Sequence, residues 1–379
     1  MKIIVLGAGL VGAPMAVDLA KDSEFTVSVA DLSSRALTKI DKQHPIETIQ
    51  RDLSKPKNVK ALVDGFDIVV NAVPGFMGFQ TLKSIIEAGK DVIDIAFFPE
   101  DPFQLDELAK EKGVTAVVDC GVAPGMSNIL IGHVDSLLDK TEEILIYVGG
   151  LPEIREWPYE YKAPFSSIDV IEEYIRPARY VENGQLVVRP ALSEPELIDF
   201  PDVGTLEVFN TDGLRSLART INAPNMKEKT MRYPGHIEKM RVLRETGFFS
   251  QDEIDINGTR IRPIDLTSKL LFPKWEYSQG EADITVMQVT VEGVRSGQRL
   301  RYKYDLLDRY DAVTETLSMA RTTGYTATMA VRLLANGMYS RKGLSAPEQI
   351  GRHQECVEFL LNGLRDRGVV YKETIDEIS

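Results

Sequence analysis

A glycine-rich turn near the amino terminus constrains this chain more than any other feature of the sequence. The turn lies between two apolar runs, IIVL at residues 3–6 and TVSVA at residues 26–30. Its glycines have the spacing G-x-G-x-x-G, at Gly7, Gly9 and Gly12. Apolar residues at helical spacing follow the turn, and the second run ends in Asp31. This order predicts a strand, a tight turn, a helix and a second strand, as at the start of a parallel α/β sheet.

Each glycine of the turn has a separate task in such a unit. The first permits the tight turn, the second lets the backbone approach a pyrophosphate, and the third lets the helix pack closely on the strand. Amide groups at the start of the helix then face the phosphates. The turn therefore predicts a dinucleotide site, with glycines that only close a tight turn as the alternative.

Asp31 bears on which dinucleotide binds. Its carboxylate can accept hydrogen bonds from both ribose hydroxyls of NAD, and it would repel the additional 2′-phosphate of NADP. Arg35 lies close enough in the sequence to neutralise such a phosphate. We predict NAD as the cofactor, with NADP as the weaker alternative.

The other predicted cofactor residues follow later strands. Asp52 and Leu53 lie where such folds contact adenine, and the run at residues 71–75 ends the fourth strand beside the nicotinamide half. A solvated loop acid and a simple turn are the alternatives. The predicted cofactor-binding residues are Gly7, Ala8, Gly9, Leu10, Val11, Gly12, Asp31, Asp52, Leu53, Ala72, Val73 and Pro74.

The alternation of β-branched runs with helical segments continues to about residue 120 and predicts an α/β fold with a Rossmann-type parallel sheet. The middle of the chain carries antiparallel signals, such as the Asn-Gly pair within VENGQLVVRP at residues 181–190, which predicts a hairpin. We therefore expect a dinucleotide-binding domain at 1–120 and a second α+β domain for substrate and oligomerisation at 121–315. The helical pattern returns at 314–335 and, after Pro347, at 348–367. The helices at 316–379 are expected to return to the first domain.

Charge and cysteine content exclude several classes of protein. The chain has 379 residues and a formal net charge of −13, which disfavours nucleic acid and anionic membranes as partners. Its two cysteines lie far apart and its four histidines lack ligand spacing, so we expect no metal site and a reducing, cytoplasmic location. No apolar run is long enough to cross a bilayer.

Six motifs together resemble those of a known enzyme family. They are GAGLVG at 7–12, VNAVPGFMG at 70–78, DCGVAPGMSN at 119–128, YKAPFSSIDVIEEY at 161–174, FNTDGLRSL at 209–217 and RTTGYTATMAVRLL at 321–334. The chain resembles the saccharopine dehydrogenase-like oxidoreductases over nearly its full length, most closely the L-lysine 6-dehydrogenase branch. The resemblance implies an NAD(P)-dependent enzyme that acts on the ε-amino nitrogen of lysine or of a lysine adduct.

One motif departs from the saccharopine-forming members. In those members the segment matching residues 119–125 tends to read acid-x-Gly-Leu-Asp-Pro-Gly, whereas this chain has Val122 and Ala123 before Pro124 and Gly125. We therefore expect oxidative deamination of L-lysine to the semialdehyde, which cyclises to piperideine-6-carboxylate, with release of ammonia. Saccharopine dehydrogenase or a related carboxyamine dehydrogenase is one alternative, and a non-catalytic NAD-binding regulatory protein is another.

The segment at 119–121 supplies the first candidate residues for the substrate site. It lies at the carboxyl end of a predicted strand, where open α/β sheets bind ligands. Asp119 is a candidate catalytic base or amine ligand, with a capping or hinge acid as the alternative. Cys120 and Gly121 are predicted to line the substrate site, and Cys120 is expected to be a packed thiol rather than a nucleophile.

Other candidates lie in the middle of the chain. Tyr161 and Lys162 could bind the stem and carboxylate of lysine, with core and surface roles as alternatives. Asn210, Thr211 and Arg215 put polar groups on a turn, where the arginine fork suits an α-carboxylate. His236 follows a turn and begins a predicted helix. It is the second candidate for proton transfer, with a structural role as its alternative. We expect a small-molecule amino-acid substrate and a homodimer or higher homo-oligomer.

Overall fold

The short apolar runs of the first third of the chain form strands that alternate with helices. The computed structural model describes residues 1–378, apart from the side chains of residues 41–43. The first elements are β1 Lys2–Leu6, α1 Gly12–Leu19, β2 Thr26–Asp31, α2 Ser34–Gln43, β3 Glu47–Gln50, α3 Pro56–Val63, β4 Ile68–Asn71, α4 Gly75–Glu87, β5 Asp91–Asp94, a 3₁₀ turn at Pro102–Leu105, α5 Asp106–Lys112, β6 Thr115–Val117 and α6 Met126–Leu137.

The middle and end of the chain contain longer strands and further helices. In the middle lie β7 Lys140–Pro152, α7 Ser167–Ile175, β8 Ala178–Glu182, β9 Gln185–Arg189, β10 Glu196–Phe200, β11 Gly204–Asn210, α8 Leu217–Thr220, β12 Asn225–Arg232, α9 His236–Glu245, β13 Ile254–Ile256, β14 Thr259–Ile261, α10 Pro263–Trp275, β15 Asp283–Arg295 and β16 Gln298–Arg309. After them come α11 Ser318–Ala335, β17 Gly343–Ser345, α12 Pro347–Gly351, α13 Gln354–Asp366 and β18 Tyr371–Glu377.

Contacts between residues divide the chain into two units. The first unit comprises Met1–Leu137 and Met319–Tyr371, so it is built from two separate stretches of sequence. The second comprises Leu138–Ser318 and the residues from Lys372 onward.

The first unit contains a seven-stranded parallel sheet in the order β17-β6-β5-β4-β1-β2-β3. Strands β1 and β4 at its centre are apolar almost throughout because helices cover such sheets on both faces, and Ile3, Ile4, Val5 and Leu6 of β1 are fully buried. The chain order reverses at β1, whose neighbours are β2 and β4. Open sheets bind ligands beside such a reversal, outside the carboxyl ends of the strands. The predicted Rossmann-type sheet is confirmed.

The carboxyl-terminal segment of the first unit differs in detail from the sequence prediction. The strand β17 pairs in parallel with β6, yet its three residues are too short a run to show strand periodicity. The helix predicted at 348–367 is in fact two helices, α12 and α13, separated at Arg352 and His353. The helix predicted from Thr314 begins at Ser318.

The second unit contains a nine-stranded mixed sheet, which confirms the predicted second α+β domain. Its main path runs β10-β11-β12-β7-β15-β16-β18, and β8 joins it beside β12 and carries β9. The predicted hairpin forms between β8 and β9, where Asn183 and Gly184 have φ of 51° and 74°. Both values suit the type I′ turn for which Asn-Gly is favoured.

Helices α7, α9 and α10 of the second unit pack around an aromatic core. Its largest buried side chains are those of Trp275, Tyr174 and Phe209. The sequence pattern indicated only α9 among these helices. Within residues 1–378, no helix combines the length and apolar character that a bilayer span requires.

Candidate functional site

The glycine turn leaves open space where a phosphate would approach. Gly7 has φ of +109°, and a Cβ there would lie 2.5 Å from the carbonyl oxygen of Ala72. A Cβ on Gly12 would lie 2.1 Å from the carbonyl oxygen of Gly7, so α1 must pack tightly against the turn. A Cβ on Gly9, in contrast, would meet no atom within 4 Å. The turn therefore fits a pyrophosphate at the start of α1.

Asp31 lies beside this turn, at the end of β2. Its carboxylate oxygens accept hydrogen bonds from the backbone amides of Ala8 and Ser33, each at 2.7 Å. The side chain is partly exposed, so its remaining lone pairs can accept bonds from ribose hydroxyls. Two exposed arginines, Arg35 and Arg51, follow the ends of β2 and β3.

Large apolar side chains are exposed in the segments that follow these strands. They belong to Leu10, Leu32 and Phe76, and each is between 50% and 75% exposed. Exposed apolar side chains beside a nucleotide site can pack against flat rings. Sequence reasoning included Leu10 and missed the other two. The available signal was their position, since Leu32 directly follows Asp31 and Phe76 lies in the first turn of α4.

The next two strands end in a buried polar pair that sequence reasoning also missed in part. Asn71 of β4 donates a hydrogen bond to Asp94 of β5 at 2.5 Å, and Asp94 also accepts from the amide of Ala96 at 2.8 Å. The side-chain oxygen of Asn71 has no partner among the described residues. The predicted cofactor residues Ala72, Val73 and Pro74 continue directly from this pair into α4.

Asp52 and Leu53 have local roles in the structure. Asp52 accepts hydrogen bonds from the amide and hydroxyl of Ser54, and this hydroxyl, with Lys55, lowers the pKa of Asp52 to about 2. Leu53 is buried in the core of the first unit. Their contact with adenine stays a prediction.

The segment at 119–125 forms a tight loop after β6. Asp119 is buried and has φ of 51°, a left-handed conformation that Asp and Asn tolerate better than most residues. The loop closes through a hydrogen bond from the amide of Gly121 to the carbonyl of Pro124 at 3.0 Å. Gly125 is required there, because a Cβ on it would lie 2.0 Å from the carbonyl oxygen of Gly121.

Cys120 is fully buried in this loop. Burial raises the pKa of its thiol to about 12, and the charges of Asp119 and Asp94 add to the increase. Since the thiolate is the nucleophilic form, this thiol is unsuited to nucleophilic attack. Its side chain acts as a small packed group.

In the second unit, Tyr161 and His236 belong to a buried cluster around Arg232. The guanidinium carbon of Arg232 lies 4.5 Å from the ring centre of Tyr161, and the rings of Tyr161 and His236 are 5.0 Å apart. Arg232 also donates to the hydroxyl of Tyr174 at 3.2 Å. The side chain of Arg232 is thus held between aromatic rings.

Both ring nitrogens of His236 have partners. Its Nδ1 lies 2.9 Å from the carbonyl oxygen of Tyr159, which can only accept, so Nδ1 carries the proton. Its Nε2 then accepts from the hydroxyl of Tyr174 at 3.0 Å. Burial, and secondarily the positive charge of Arg232, lowers the pKa of His236 to about 3. The ring is therefore neutral at physiological pH.

Some buried polar atoms of this cluster have no hydrogen-bond partner in the described part of the chain. They are the hydroxyls of Tyr161 and Tyr277 and the indole nitrogen of Trp275. Buried polar atoms are rarely left without a partner, so such atoms indicate a place for water or for a polar ligand.

The remaining predicted residues of the second unit have different contact partners. Lys162 is nearly buried and pairs with Glu281. Thr211 bonds with Glu228 and, at 2.8 Å, with Thr230. Asn210 donates to Ser193 at 3.2 Å and Arg215 lies on the following turn with φ of 50°.

Several cations of this unit are already neutralised by carboxylates. The pairs are Lys162 with Glu281, Arg179 with Asp212, Lys229 with Glu196, and Arg232 with Glu173. Each of these carboxylates reduces the positive charge that its partner can offer to an anionic ligand.

Comparisons with known proteins agree with this architecture. A family model described as the saccharopine dehydrogenase NADP binding domain matches residues 3–117, and one described as the saccharopine dehydrogenase C-terminal domain matches residues 121–369. The structure is similar to apo saccharopine dehydrogenase (L-Glu forming) from Saccharomyces cerevisiae, with a TM-score of 0.80, 19% identity and 99% coverage of both chains.

Individual relatives share between a fifth and a quarter of the residues. The chain is 22% identical to bovine alpha-aminoadipic semialdehyde synthase, a mitochondrial protein, over 98% of this chain and 47% of that one, so it spans about half the length of that relative. It is 24% identical to carboxyaminopropylagmatine dehydrogenase from Synechocystis sp. over 92% of both chains. It is 23% identical to saccharopine dehydrogenase [NADP(+), L-glutamate-forming] from Schizosaccharomyces pombe over 99% of both chains.

Proposed function

Because the chain belongs to the saccharopine dehydrogenase family, we propose that it is an NAD-dependent oxidoreductase that deaminates the ε-amino group of L-lysine. The glycine turn with Asp31 carries the dinucleotide part of this proposal. The cations of the second unit are paired with carboxylates, which supports a substrate that itself carries few carboxylates. The products are the semialdehyde, which cyclises to piperideine-6-carboxylate, and ammonia.

Asp31 supports NAD even though the family model and the relative from S. pombe are named for NADP. Its carboxylate is fixed at the end of β2 by two backbone amides. A 2′-phosphate placed there would meet a negative charge, whereas free ribose hydroxyls would find acceptors. Use of NADP would require Arg35 or Arg51 to offset that charge.

The bound dinucleotide supplies the two-electron oxidation of the substrate C–N bond. The contribution of the chain is to orient the amine and to accept the proton that it loses. Water then adds to the oxidised carbon, the C–N bond breaks, and ammonia is released. Orientation of this kind can account for a large part of the rate increase of an enzyme.

Asp119 is our proposed proton acceptor. It lies at the carboxyl edge of the parallel sheet, as do the glycine turn and Asp31. His236 suits the role less well, because its Nδ1 carries a proton that it donates to Tyr159 and the lone pair of its Nε2 accepts a hydrogen bond from Tyr174. A base needs a lone pair that can reach the proton of the substrate.

The charge balance of the second unit favours lysine over saccharopine. Saccharopine brings two more carboxylates than lysine and would need additional cations to hold them. The side chains of Lys162, Arg179 and Arg232 are each paired with a carboxylate. A substrate with a single carboxylate fits this arrangement better.

Cleavage of saccharopine or of a related carboxyamine is the second candidate. The relatives from S. pombe and Synechocystis sp., which match over nearly their whole lengths, have names of this type. At 23% to 24% identity, this chain can differ from these relatives in its substrate.

A product assay separates these functions. Lysine, saccharopine and a carboxyalkyl amine are each supplied with NAD and with NADP, while reduced nucleotide, ammonia and glutamate are measured. We expect lysine-dependent NADH and ammonia in equal amounts. Glutamate from saccharopine without ammonia from lysine would reject our proposal in favour of the second candidate. Binding of NADH without turnover of any substrate would indicate a regulatory protein.

Two variants test the assignment of the proton acceptor in this assay. Asp119→Asn keeps the size of the side chain and tolerates the left-handed backbone, so it should bind NADH normally and lose at least about 100-fold in kcat. His236→Gln should retain most of the activity at 25 °C. Normal turnover by Asp119→Asn would exclude Asp119 as the base.

A further inference from the structure

Helix α1, which begins at the glycine turn, is held by a stripe of residues on α11. The stripe consists of Gly324, Thr328 and Arg332, whose spacing of four residues places them on one face. A Cβ on Gly324 would lie 2.9 Å from Cγ of Met15 and 3.6 Å from the carbonyl oxygen of Val11. The start of the stripe thus contacts α1 where the glycine turn passes into the helix.

The other end of the stripe binds the carboxyl-terminal half of α1. Arg332 donates from Nη1 to the carboxylate of Asp18 at 2.8 Å and from Nη2 to the carbonyl of Asp18 at 3.0 Å. Its Nε donates to Asp22 at 2.7 Å, and the hydroxyl of Thr328 donates to Asp18 at 2.6 Å. One guanidinium therefore binds both a side chain and the backbone of α1.

A second arginine completes the network. Arg367, which follows α13, donates from Nε to the other carboxylate oxygen of Asp18 at 2.8 Å. Asp18 is only 1% exposed and Arg332 only 6% exposed. Burial acts to raise the pKa of Asp18, but the two guanidiniums outweigh it and hold that pKa below its ordinary value.

Such a network does little for stability compared with an apolar contact of the same size, because removing the charges from water offsets their attraction. What it does supply is direction, since a guanidinium fork fixes both the distance and the angle of its partner. Here the partner is the helix whose first turn faces the phosphates. The network accordingly ties the carboxyl-terminal end of α1 to α11 and to Arg367.

We propose that Arg332 is a positioning residue for dinucleotide binding, acting through Asp18 on helix α1. Thr328 and Arg367 assist it by orienting the same carboxylate. The inference rests on dinucleotide binding alone and is independent of the amine that the protein oxidises.

The test compares two arginine variants of the full-length protein. Dissociation constants for NADH and NADPH are measured by fluorescence at 25 °C, together with Tm and, at saturating dinucleotide, the KM of the amine. We expect Arg332→Gln to weaken the tighter of the two nucleotides by about 10-fold and to leave the KM of the amine within about twofold. Arg332→Lys, which keeps the charge, should restore part of the affinity.

Arg341→Gln is the matched control. Arg341 lies in the same carboxyl-terminal segment, and its hydrogen bonds go to Leu344, Ser345 and Gln349. This variant should bind nucleotide as the parent protein does. Equal weakening in both variants, or a lower Tm of Arg332→Gln with unchanged affinity, would show that the network only stabilises the fold and would overturn the proposal.

Thr328→Val keeps the proposal testable if Arg332→Gln fails to fold. It removes one of the bonds to Asp18 and leaves both arginines in place. We expect nucleotide affinity to fall about twofold to threefold, and an unchanged affinity in this folded variant would count against the positioning role.

Discussion

At the scale of single residues, Asp31 shows how a backbone arrangement prepares a side chain for a ligand. Two amides, from Ala8 in the glycine turn and from Ser33 before α2, orient its carboxylate. Charge-assisted bonds of this kind are stronger than neutral ones and hold the carboxylate in one direction. The same group can then discriminate between a hydroxyl and a phosphate.

We expect Asp31→Ser to shift the cofactor preference toward NADP. Loss of the carboxylate removes acceptors for the ribose hydroxyls and also removes the repulsion of a 2′-phosphate, so kcat/KM for NAD should fall about 10-fold or more while that for NADP rises. Steady-state kinetics with both nucleotides provide the measurement. Arg35→Gln, as a comparison, should reduce only the use of NADP. An unchanged NAD preference in Asp31→Ser would place the discrimination elsewhere.

At the scale of secondary structure elements, strand β12 carries an unusual buried acid. Glu228 is 5% exposed and accepts hydrogen bonds from the hydroxyl of Thr211 and the amide of Gly213. Burial raises the pKa of Glu228 to about 8, and the nearby carboxylates of Glu173 and Asp212 act in the same direction. The protonated form is favoured in the folded sheet.

This environment predicts a loss of stability as the pH rises. A carboxyl whose pKa increases on folding binds its proton more tightly in the folded state than in the unfolded chain, where its pKa is 4.5. The free energy of unfolding should therefore fall between about pH 4.5 and about pH 8. Glu228→Gln should remove this dependence and raise Tm at pH 8 by about 3 °C or more, with a smaller gain at pH 5.

Thermal unfolding of both proteins at pH 5 and pH 8 measures the effect. Glu143→Gln on the neighbouring strand β7 is the control, because Glu143 is exposed and its replacement should change Tm little at either pH. A Glu228→Gln protein that is less stable than the parent at pH 8 would contradict the reasoning.

At the scale of the whole molecule, the first unit is made from two stretches of chain. Its parallel sheet ends in β17, and its helix α1 is bound by residues of α11 and by Arg367. The family model for the NADP binding domain covers only residues 3–117 of this unit. A fragment limited to those residues would lack Arg332 and Arg367, the two arginines that pair with Asp18.

We therefore expect a chain that ends after Ser318 to lose dinucleotide binding. Without α11 and Arg367, the buried carboxylate of Asp18 has lost both of its arginine partners and keeps only the exposed Lys21, at 3.6 Å. Removing partners from a buried charge is strongly destabilising. Circular dichroism and NADH binding provide the measurement. A chain that ends after Tyr371 removes only residues from Lys372 onward, which belong to the second unit, and should bind as the full chain does. Normal binding by the shorter chain would show that residues up to Ser318 suffice.

Oligomeric state and location in the cell are also properties of the whole molecule. A homo-oligomer and a cytoplasmic location stay predictions from the sequence. Changes in the sequence pattern predict domain limits at residues 120 and 315. Contacts between residues place the limits of the two units at Leu137 and Ser318.

Features that depend only on neighbouring residues could be predicted from the sequence. The glycine turn, the acid at the end of β2 and the Asn-Gly hairpin could all be identified because φ preferences and the periods of helix and strand are local properties. The short strand β17 escaped detection because three residues cannot show a period. Helix α7 was missed because it has only nine residues, and α10 because Pro273 lies in its interior, where proline normally ends a helix.

Contacts between residues distant in the sequence could be identified only from the folded chain. Arg332 binds Asp18 from 314 positions away, and Tyr174 binds His236 from 62 positions away. Such contacts set the low pKa of the histidine, the charge balance around Arg232 and the orientation of α1. Burial and pairing are properties of the folded arrangement. Residue type and spacing alone therefore suggest His236 as a base, whereas in the fold both of its ring nitrogens are hydrogen-bonded to other residues.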